Sequence, residues 1–264
     1  MRAKIVGMLA ETFVHPGTGQ TTGAIDLPVA REAATDYPFI AGSSLKGALL
    51  DDYRQQDDEG AKRIFGEQDN AGDLLVSDAR LLLLPVRSLT SAFKWVTCPH
   101  LLERLERDLK RSGKADAGFN IPAVERKRAL AGGSGRLFLE ERSFEVTGDV
   151  PEDVVEAVGS LIPHKNVRER LGERLTILHD DDFAWFARYG LPVQARNVLD
   201  TNKKSENLWY EETLPPDTLM YSVLAQRNGK NGTLDDVKEK IGDYLQVGGN
   251  ETVGQGWFSL GWRD

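Results

Sequence analysis

Residues 15–47, HPGTGQTTGAIDLPVAREAATDYPFIAGSSLKG, combine a Gly/Thr loop, a lone Asp26 between apolar neighbours and a helix start that carries Lys46. The first part is too rich in glycine and threonine to pack a core and reads as loop. Ser43 or Ser44 is placed to N-cap a helix whose apolar positions are Leu45, Ala48, Leu49 and Tyr53. A lysine in the first helical turn works against the helix dipole, which favours cations at the other end. With small Ser43, Ser44 and Gly47 around it, Lys46 reads as a phosphate holder, its ammonium acting beside backbone N–H groups. The alternative is a solvated surface lysine.

Outward from this stretch, the signals are clearest towards the two ends of the chain. Residues 3–14 alternate as a strand, with Ile5, Met8, Ala10 and Phe13 among the apolar positions. After the helix, AKRIFG reads as another helical turn stopped by Gly66, and residues 73–84, DLLVSDARLLLL, as a buried strand closed by Pro85. Beyond Pro215-Pro216 lie a strand, TLMYSVLAQ, then a helix over 233–246 with Leu234, Val237, Ile241 and Leu245 in register, then a last strand, WFSLGW. Residues 191–212 read as a long hairpin, LPVQARNVLD and LWYEE joined by the polar turn TNKKSEN. The pattern over 86–190 is less regular. It predicts a helix at 99–112, with Pro99 near its start and Leu101, Leu102, Leu105 and Leu109 on one face. It also predicts strands near Arg136–Val146 and a helix opened by Pro151. No linker sets this region apart, so it reads as an insertion in a single domain spanning 1–264. The firm elements follow a βαββαβ order, that of an α+β, RRM- or ferredoxin-like fold.

Composition narrows the class. The 264 residues are 40% hydrophobic and 28% charged, ordinary for a globular chain, and no apolar run is long enough for a membrane span. The start, MRAKIVGMLAETFVH, is too polar and too alternating for a signal peptide. A single cysteine, Cys98, excludes an intramolecular disulfide and a Cys-based metal site, and suggests a reducing, cytoplasmic setting. The net charge of −8 argues against a free-standing nucleic-acid binder, because phosphates call for Lys and Arg. Its distribution matters more than its sum. Acids cluster at Asp57-Asp58-Glu59 and Asp180-Asp181-Asp182; bases cluster at Arg104, Arg107, Lys110, Arg111 and Lys114, and at Arg126, Lys127 and Arg128. An acidic outside with basic inner faces suits a subunit that meets nucleic acid only inside an assembly.

Two further motifs carry chemistry. The loop Val247 to Gly256, VGGNETVGQG, is neither a Walker loop nor a dinucleotide fingerprint. Gly248, Gly249, Gly254 and Gly256 make either a tight turn or a place where backbone amides approach phosphates, as Gly17 and Gly19 can in the first loop. In the hairpin, Arg196 and the Lys203-Lys204 turn are able to track a phosphate backbone, and Val198 and Leu199 to wedge between bases. Asp78, two residues before Arg80, reads as half of a local ion pair or as a cap.

HPGTGQTTGAIDLPVAR, PFIAGSSLKGALL, SDARLLLLPVRS and LQVGGNETVGQGW, in that order, resemble the repeating backbone subunit of type III-B CRISPR effectors. This is the fourth subunit of the Cmr complex, in the Cas7-like branch of the RAMP superfamily. The early loop with GSSLKG and the C-terminal glycine loop are shared among RAMP proteins, whereas SDARLLLLPVRS, WVTCPHLL and LWYEETLP point to this subunit. The resemblance implies an RRM-like palm, a fingers-like insertion at 86–190 and a protruding thumb hairpin at 191–216. It also implies partners: CRISPR guide RNA, single-stranded target RNA, further copies stacked head to tail as a helical filament, and other Cmr-type subunits, with no membrane. Target RNA would be cut once per subunit with a divalent metal, Mg2+ or Mn2+.

On the same resemblance Asp26 matches the acid that carries cleavage, whereas alone it reads as a turn or capping aspartate. One carboxylate is able to bind a divalent ion beside the scissile phosphate or to help deprotonate a 2′-hydroxyl, with the ion held weakly and largely by RNA oxygens. His15, alone a loop residue without chemistry, falls near the cleavage site in the family pattern, which gives it an accessory part in proton transfer or phosphate contact. Glu211 matches a helpful glutamate of the family, while Thr213 stands where a companion tyrosine is expected. The RNA-binding set is then Gly17, Gly19, Ser43, Ser44, Lys46, Arg196, Gly248, Gly249, Gly254 and Gly256. Two rival readings remain: a non-catalytic scaffold of the same filament, and a metal-independent endonuclease that processes guide RNA alone.

Overall fold

In the structure, a computed structural model, residues 2–20, 22–113, 118–227 and 232–263 are described; Lys114 of the basic cluster lies outside them. The chain opens with β1 (Ala3–Ala10), crosses the first loop to the short β2 (Phe39–Ile40), and enters α1 (Gly42–Arg54) and α2 (Asp58–Phe65). A minimal hairpin of β3 (Gly66–Glu67) and β4 (Asn70–Ala71) leads to β5 (Leu74–Val76) and the long β6 (Ala79–Arg87). The insertion then contributes β7 (Phe93–Thr97), α3 (Pro99–Arg111), β8 (Arg128–Ala131), β9 (Gly135–Leu139) and β10 (Arg142–Gly148). It continues through α4 (Glu152–Gly159), α5 (Lys165–Glu169), α6 (Leu171–Arg174), β11 (Leu175–Leu178) and α7 (Asp180–Tyr189). The projecting hairpin is β12 (Val193–Leu199) and β13 (Ser205–Glu212), and β14 (Leu219–Gln226), α8 (Thr233–Ile241), β15 (Tyr244–Gln246) and β16 (Trp257–Arg263) complete the chain.

The result is a mixed α+β fold with a large sheet insertion. One sheet runs in the order β15-β16-β1-β14-β6-β7-β11-β8-β10-β9, with β2 added to β6 and β5 to β14. β1 is antiparallel to both β14 and β16, and β14 is antiparallel to β6. Both faces of β1 are buried: Val6, Met8 and Ala10 join a core with α1, α2 and α8, while Ile5 and Leu9 join one with α3 and α4. Strands buried on both faces read as continuous apolar runs, which is why residues 81–84, LLLL, fit here. Gly7 and Gly261 face each other across the β1–β16 ladder. A Cβ on Gly7 or Gly261 would come within 1.9 or 2.3 Å of the Leu161 carbonyl oxygen, so this pair lets the insertion's backbone lie directly against the face of the sheet.

Several expected boundaries move, each for a physical reason. The segment 73–84 is two strands broken at Ser77-Asp78, and Pro85 lies inside β6 instead of closing it. Beyond Leu83 β6 ladders with β7, with Pro85 opposite Trp95, and among the described residues the side towards β14 makes no further pairing there. Neither Ser43 nor Ser44 caps α1, whose N-cap is Ala41; the Gly42 N–H donates to Asp78 Oδ1 at 2.6 Å. Asp78 is therefore the cap, from the break between β5 and β6, and Arg80 pairs with buried Asp108 instead. The helix predicted over 233–246 ends at Ile241, because Gly242 takes φ +70°, and Leu245 belongs to β15. The insertion, far from irregular, adds five strands to the sheet.

The expected basic faces are also neutralised. Arg104 pairs with Glu32 at 2.7 Å, Arg107 with Glu103 at 3.8 Å, Lys110 with Glu106 at 2.7 Å and Arg111 with Asp108 at 3.5 Å. Arg126 meets Asp181, and Arg128 meets Glu125 at 2.9 Å. The acids at 180–182 open α7, where Asp180 accepts the His100 N–H and buried Asp182 the Lys127 N–H. These clusters are mostly fold chemistry. Among the described residues no helix is long and apolar enough to cross a membrane.

Candidate nucleic-acid interface

The first loop has few apolar anchors of its own, and it is fixed by bridges across itself and to the hairpin side of the fold. Isolated bridges join Val14 to Leu214, Gly17 to Val29, Leu27 to Glu211 and Arg31 to Pro38. Buried Glu212, at the foot of β13, accepts the Val29 N–H at 3.1 Å and an Arg31 guanidinium N–H at 2.7 Å. The same guanidinium donates to the carbonyls of Asp36 and Ala187 at 2.8 and 2.7 Å, which ties the loop to the end of α7. Asp26 is half-buried, and its Oδ2 accepts the Tyr210 N–H at 2.8 Å. Next to it, the Leu27 N–H donates to the Tyr210 carbonyl and the Glu212 N–H to the Leu27 carbonyl. Asp26 thus stands at the base of the hairpin, held by β13.

His15 is buried, not a free loop residue, at 8% exposure. Its Nδ1 lies 2.8 Å from the Glu212 carbonyl oxygen. A carbonyl only accepts, so Nδ1 carries the hydrogen and a neutral ring keeps Nε2 as acceptor. The ring lies against Gly17, where a Cβ would come 2.5 Å from Nε2, and against Gly249. The Gly249 N–H donates to the His15 carbonyl at 3.1 Å, which joins the C-terminal glycine loop to the first loop.

Glu211, read as an exposed hairpin glutamate or a catalytic helper, is only 2% exposed. Its Oε1 accepts a hydrogen from the Asn250 side-chain amide and lies 3.6 Å from His15 Nδ1. Arg196 Nε lies 3.4 Å from Oε2, an ion-pair distance without hydrogen-bond geometry. The second amide hydrogen of Asn250 goes to Gln255 Oε1 at 3.0 Å. Arg196 therefore faces inward to Glu211, away from the phosphate-tracking position expected for it.

These loops enclose a cleft of about 570 Å³. His15, Gly17, Gly19, Ser44, Gly248 and Gly249 line it, together with Gly47, Ala48 and Asp51 of α1. Ser44, Gly47, Ala48 and Asp51 follow helical spacing, so one stripe of α1 forms a wall. The described lining contains no lysine or arginine; its polar side chains are His15, Ser44, Asp51 and Gln246, beside the backbone amides of the glycines. Lys46 is turned away, into a separate concavity of about 360 Å³ with Phe65, Asn70, Leu75 and Arg227. Exposed Ser43, Asp26, Glu211 and Arg196 do not line the cleft either. Gly254, at φ +78°, borders open space, whereas Gly256 is packed so closely that a Cβ would meet the Val247 carbonyl at 2.4 Å. Gly256 shapes the loop.

In the hairpin, Val198 pairs with Asn207 and Leu199 with Ser205 across a register shift. Because neighbouring strand residues alternate in direction, Val198 and Leu199 point to opposite faces, and only one of them can serve as a wedge at a given base step. Leu199, Leu208 and Tyr210 are all about half exposed. Sequence reasoning missed Arg31, Asn250 and Gln255, and preferred Glu211 to its neighbour Glu212. The carboxylates that Arg31 and Asn250 meet, Glu212 and Glu211, lie in another segment, and the one local hint was an asparagine among glycines, a residue that tolerates the left-handed φ of +65° that Asn250 adopts.

A family model of the RAMP superfamily matches residues 9–259. The CRISPR system Cmr endoribonuclease Cmr4 of Pyrococcus furiosus is 35% identical to this chain, over 98% of this chain and 95% of its own length. The CMR subunit Cmr4 of Saccharolobus solfataricus is 24% identical over 96% and 94%. A crystal structure of oligomeric Cmr4 from Pyrococcus furiosus matches the fold with a TM-score of 0.82, covering 100% of this chain and 98% of that one at 31% identity. Agreement over nearly the whole length in sequence and in fold leaves one conclusion: the chain belongs to the RAMP superfamily and, within it, to the Cmr4 subunits of type III CRISPR Cmr complexes.

Proposed function

We propose that this chain is a backbone subunit of a guide-RNA ribonucleoprotein. Copies stack head to tail along the guide beside other Cmr-type subunits, in the cytoplasm, and each copy cuts complementary target RNA. Two facts about relatives support this: one is a Cmr endoribonuclease, and Cmr4 forms an oligomer in a crystal. A heterologous contact that does not close gives a filament. The strand order β16-β1-β14-β6, with α1 and α8 as crossovers, supports an RRM- or ferredoxin-like palm within a single domain. Residues 191–216 are its thumb and 86–190 its fingers-like insertion.

The observation that carries the site is the junction at the hairpin base, where the Tyr210 N–H holds a half-exposed Asp26. A hairpin that splays one nucleotide of the target aligns its 2′-oxygen with the next phosphorus, and most of the rate comes from that placement. Asp26 takes the hydroxyl proton as the 2′-oxygen bonds to phosphorus and the bond to the 5′-oxygen breaks, and the departing 5′-oxygen takes a proton from water. The products are a 2′,3′-cyclic phosphate and a 5′-hydroxyl. His15 is the accessory group at the cleft wall, and Glu211 acts from behind it.

The cleft's backbone amides and Ser44 cradle the guide, and Lys46 and Ser43 add contacts on the neighbouring face. A divalent ion, Mg2+ or Mn2+, fits only as a weak guest. Asp26 offers one carboxylate, already engaged at Oδ2, and among the described residues no three acid, His or Cys groups gather. Phosphate oxygens and water would complete its shell, where it would neutralise charge on the scissile phosphate. In complexes reconstituted with guide RNA, Asp26→Asn is expected to abolish cutting while guide retention and target affinity stay unchanged. Equal cutting by variant and wild type would leave the scaffold reading standing instead.

A further inference from the structure

We infer that Asn250 is a positioning residue for target cleavage: it locks Glu211, and through Glu211 the base of the thumb hairpin on which Asp26 is mounted. The inference rests on the reading that Asp26 carries the cut. Asp26 owes its place to the backbone of Tyr210, the residue directly before Glu211. The Leu27–Glu211 bridge, through the Tyr210 carbonyl and the Glu212 N–H, adds a second connection along the same edge of β13. Whatever fixes Glu211 therefore fixes Asp26.

Glu211 is too buried to touch RNA, so it acts through its neighbours. Three segments reach its carboxylate: His15 from the first loop, Arg196 from β12 and Asn250 from the C-terminal loop. The His15 hydrogen is already given to the Glu212 carbonyl, and Arg196 contributes charge without a hydrogen bond. Asn250 alone of the three donates a hydrogen bond to the carboxylate. Its amide cannot turn over, because both of its hydrogens face acceptors, Glu211 Oε1 and Gln255 Oε1. Its backbone is equally fixed, since its carbonyl accepts the N–H groups of Val253 and Gln255 at 3.1 and 3.2 Å. The C-terminal glycine loop is thus stiff at one residue, and that residue is aimed at the hairpin base.

The test uses a reversed pair. Asn250→Asp sets two carboxylates against each other, and reconstituted complexes are expected to cut target about tenfold more slowly, the order of one lost hydrogen bond to a charged group. Guide retention and target affinity are expected to stay unchanged. Adding Glu211→Gln restores an amide–carboxylate pair in the opposite sense, and the double variant is expected to cut several-fold faster than Asn250→Asp alone. A double variant no faster than Asn250→Asp, or a rate loss that tracks lost guide retention, would overturn the proposal. A second measurement needs no cleavage: amide hydrogen exchange at Leu27, Tyr210 and Glu212 in the free chain, expected to quicken in Asn250→Asp and to slow again in the double variant. Unchanged exchange in Asn250→Asp overturns the positioning role. If Asp26→Asn cuts at the wild-type rate, the cleavage reading fails separately, and exchange alone decides whether Asn250 holds the hairpin.

Discussion

At Glu32, burial and pairing pull the carboxyl in opposite directions. Burial alone would raise it, but hydrogen bonds from Arg104 and Thr35 outweigh that and hold it below the ordinary carboxylate value. A depressed folded value means that the pair contributes in full above the ordinary value and that its contribution is lost as pH falls through the folded one. Glu32→Gln is accordingly expected to cost about 1 kcal/mol at neutral pH, with the gap closing in acid; urea midpoints at pH 7 and pH 3 would show it. The pairing was not legible in the sequence, because Glu32 and Arg104 lie on different elements. The same limit applies to the site. Asp26 and His15 stand out as lone groups in a glycine-rich loop. The burial of Glu211 and its bond to Asn250, 39 residues away, depend on two loops meeting in space. A run such as LWYEE carries no mark of which glutamate faces inward.

The helix α1 was legible because Leu45, Leu49 and Tyr53 repeat at helical spacing and are buried together. Its cap was not, because Asp78 reaches it from 36 residues away. The end of α8 was misread for a different reason: Leu245 keeps the helical spacing, yet it is buried as part of a strand after the turn at Gly242. The hairpin arms were legible from their polar turn. Gly47 of α1 gives a prediction at this scale. It lines the cleft, has ordinary helical φ, and a Cβ there would meet nothing within 4 Å. Gly47→Ala is expected to raise stability by roughly 0.5–1 kcal/mol through helix propensity, read as a higher melting temperature. Gly47→Trp is expected to fill the cleft and lower guide retention in a filter-binding assay.

Across the whole molecule, the mixed α+β character was legible because the strands and helices near the two ends of the chain carry their own periodicity. In the insertion β9 and β10 fall where strands near Arg136–Val146 were expected, whereas β7, β8 and β11 were not legible, since they are short and their partners are set by contacts far along the chain. β6 is what joins the two parts. Its first half ladders with β2 and β14, and its second half with β7. Neither half of the sheet can melt without stripping hydrogen bonds from the other. Scanning calorimetry is therefore expected to show one transition whose calorimetric and van 't Hoff enthalpies agree, while two separable peaks would mark 86–190 as a domain of its own. Such cooperativity makes stability a property held in common. A substitution that loosens the core around Phe144, deep in the insertion, would raise the unfolded fraction of the His15 cleft as much as the same loss of free energy beside it. Defects with no contact to RNA would then appear in a cell as scarce subunits and short filaments, not as slow cutting.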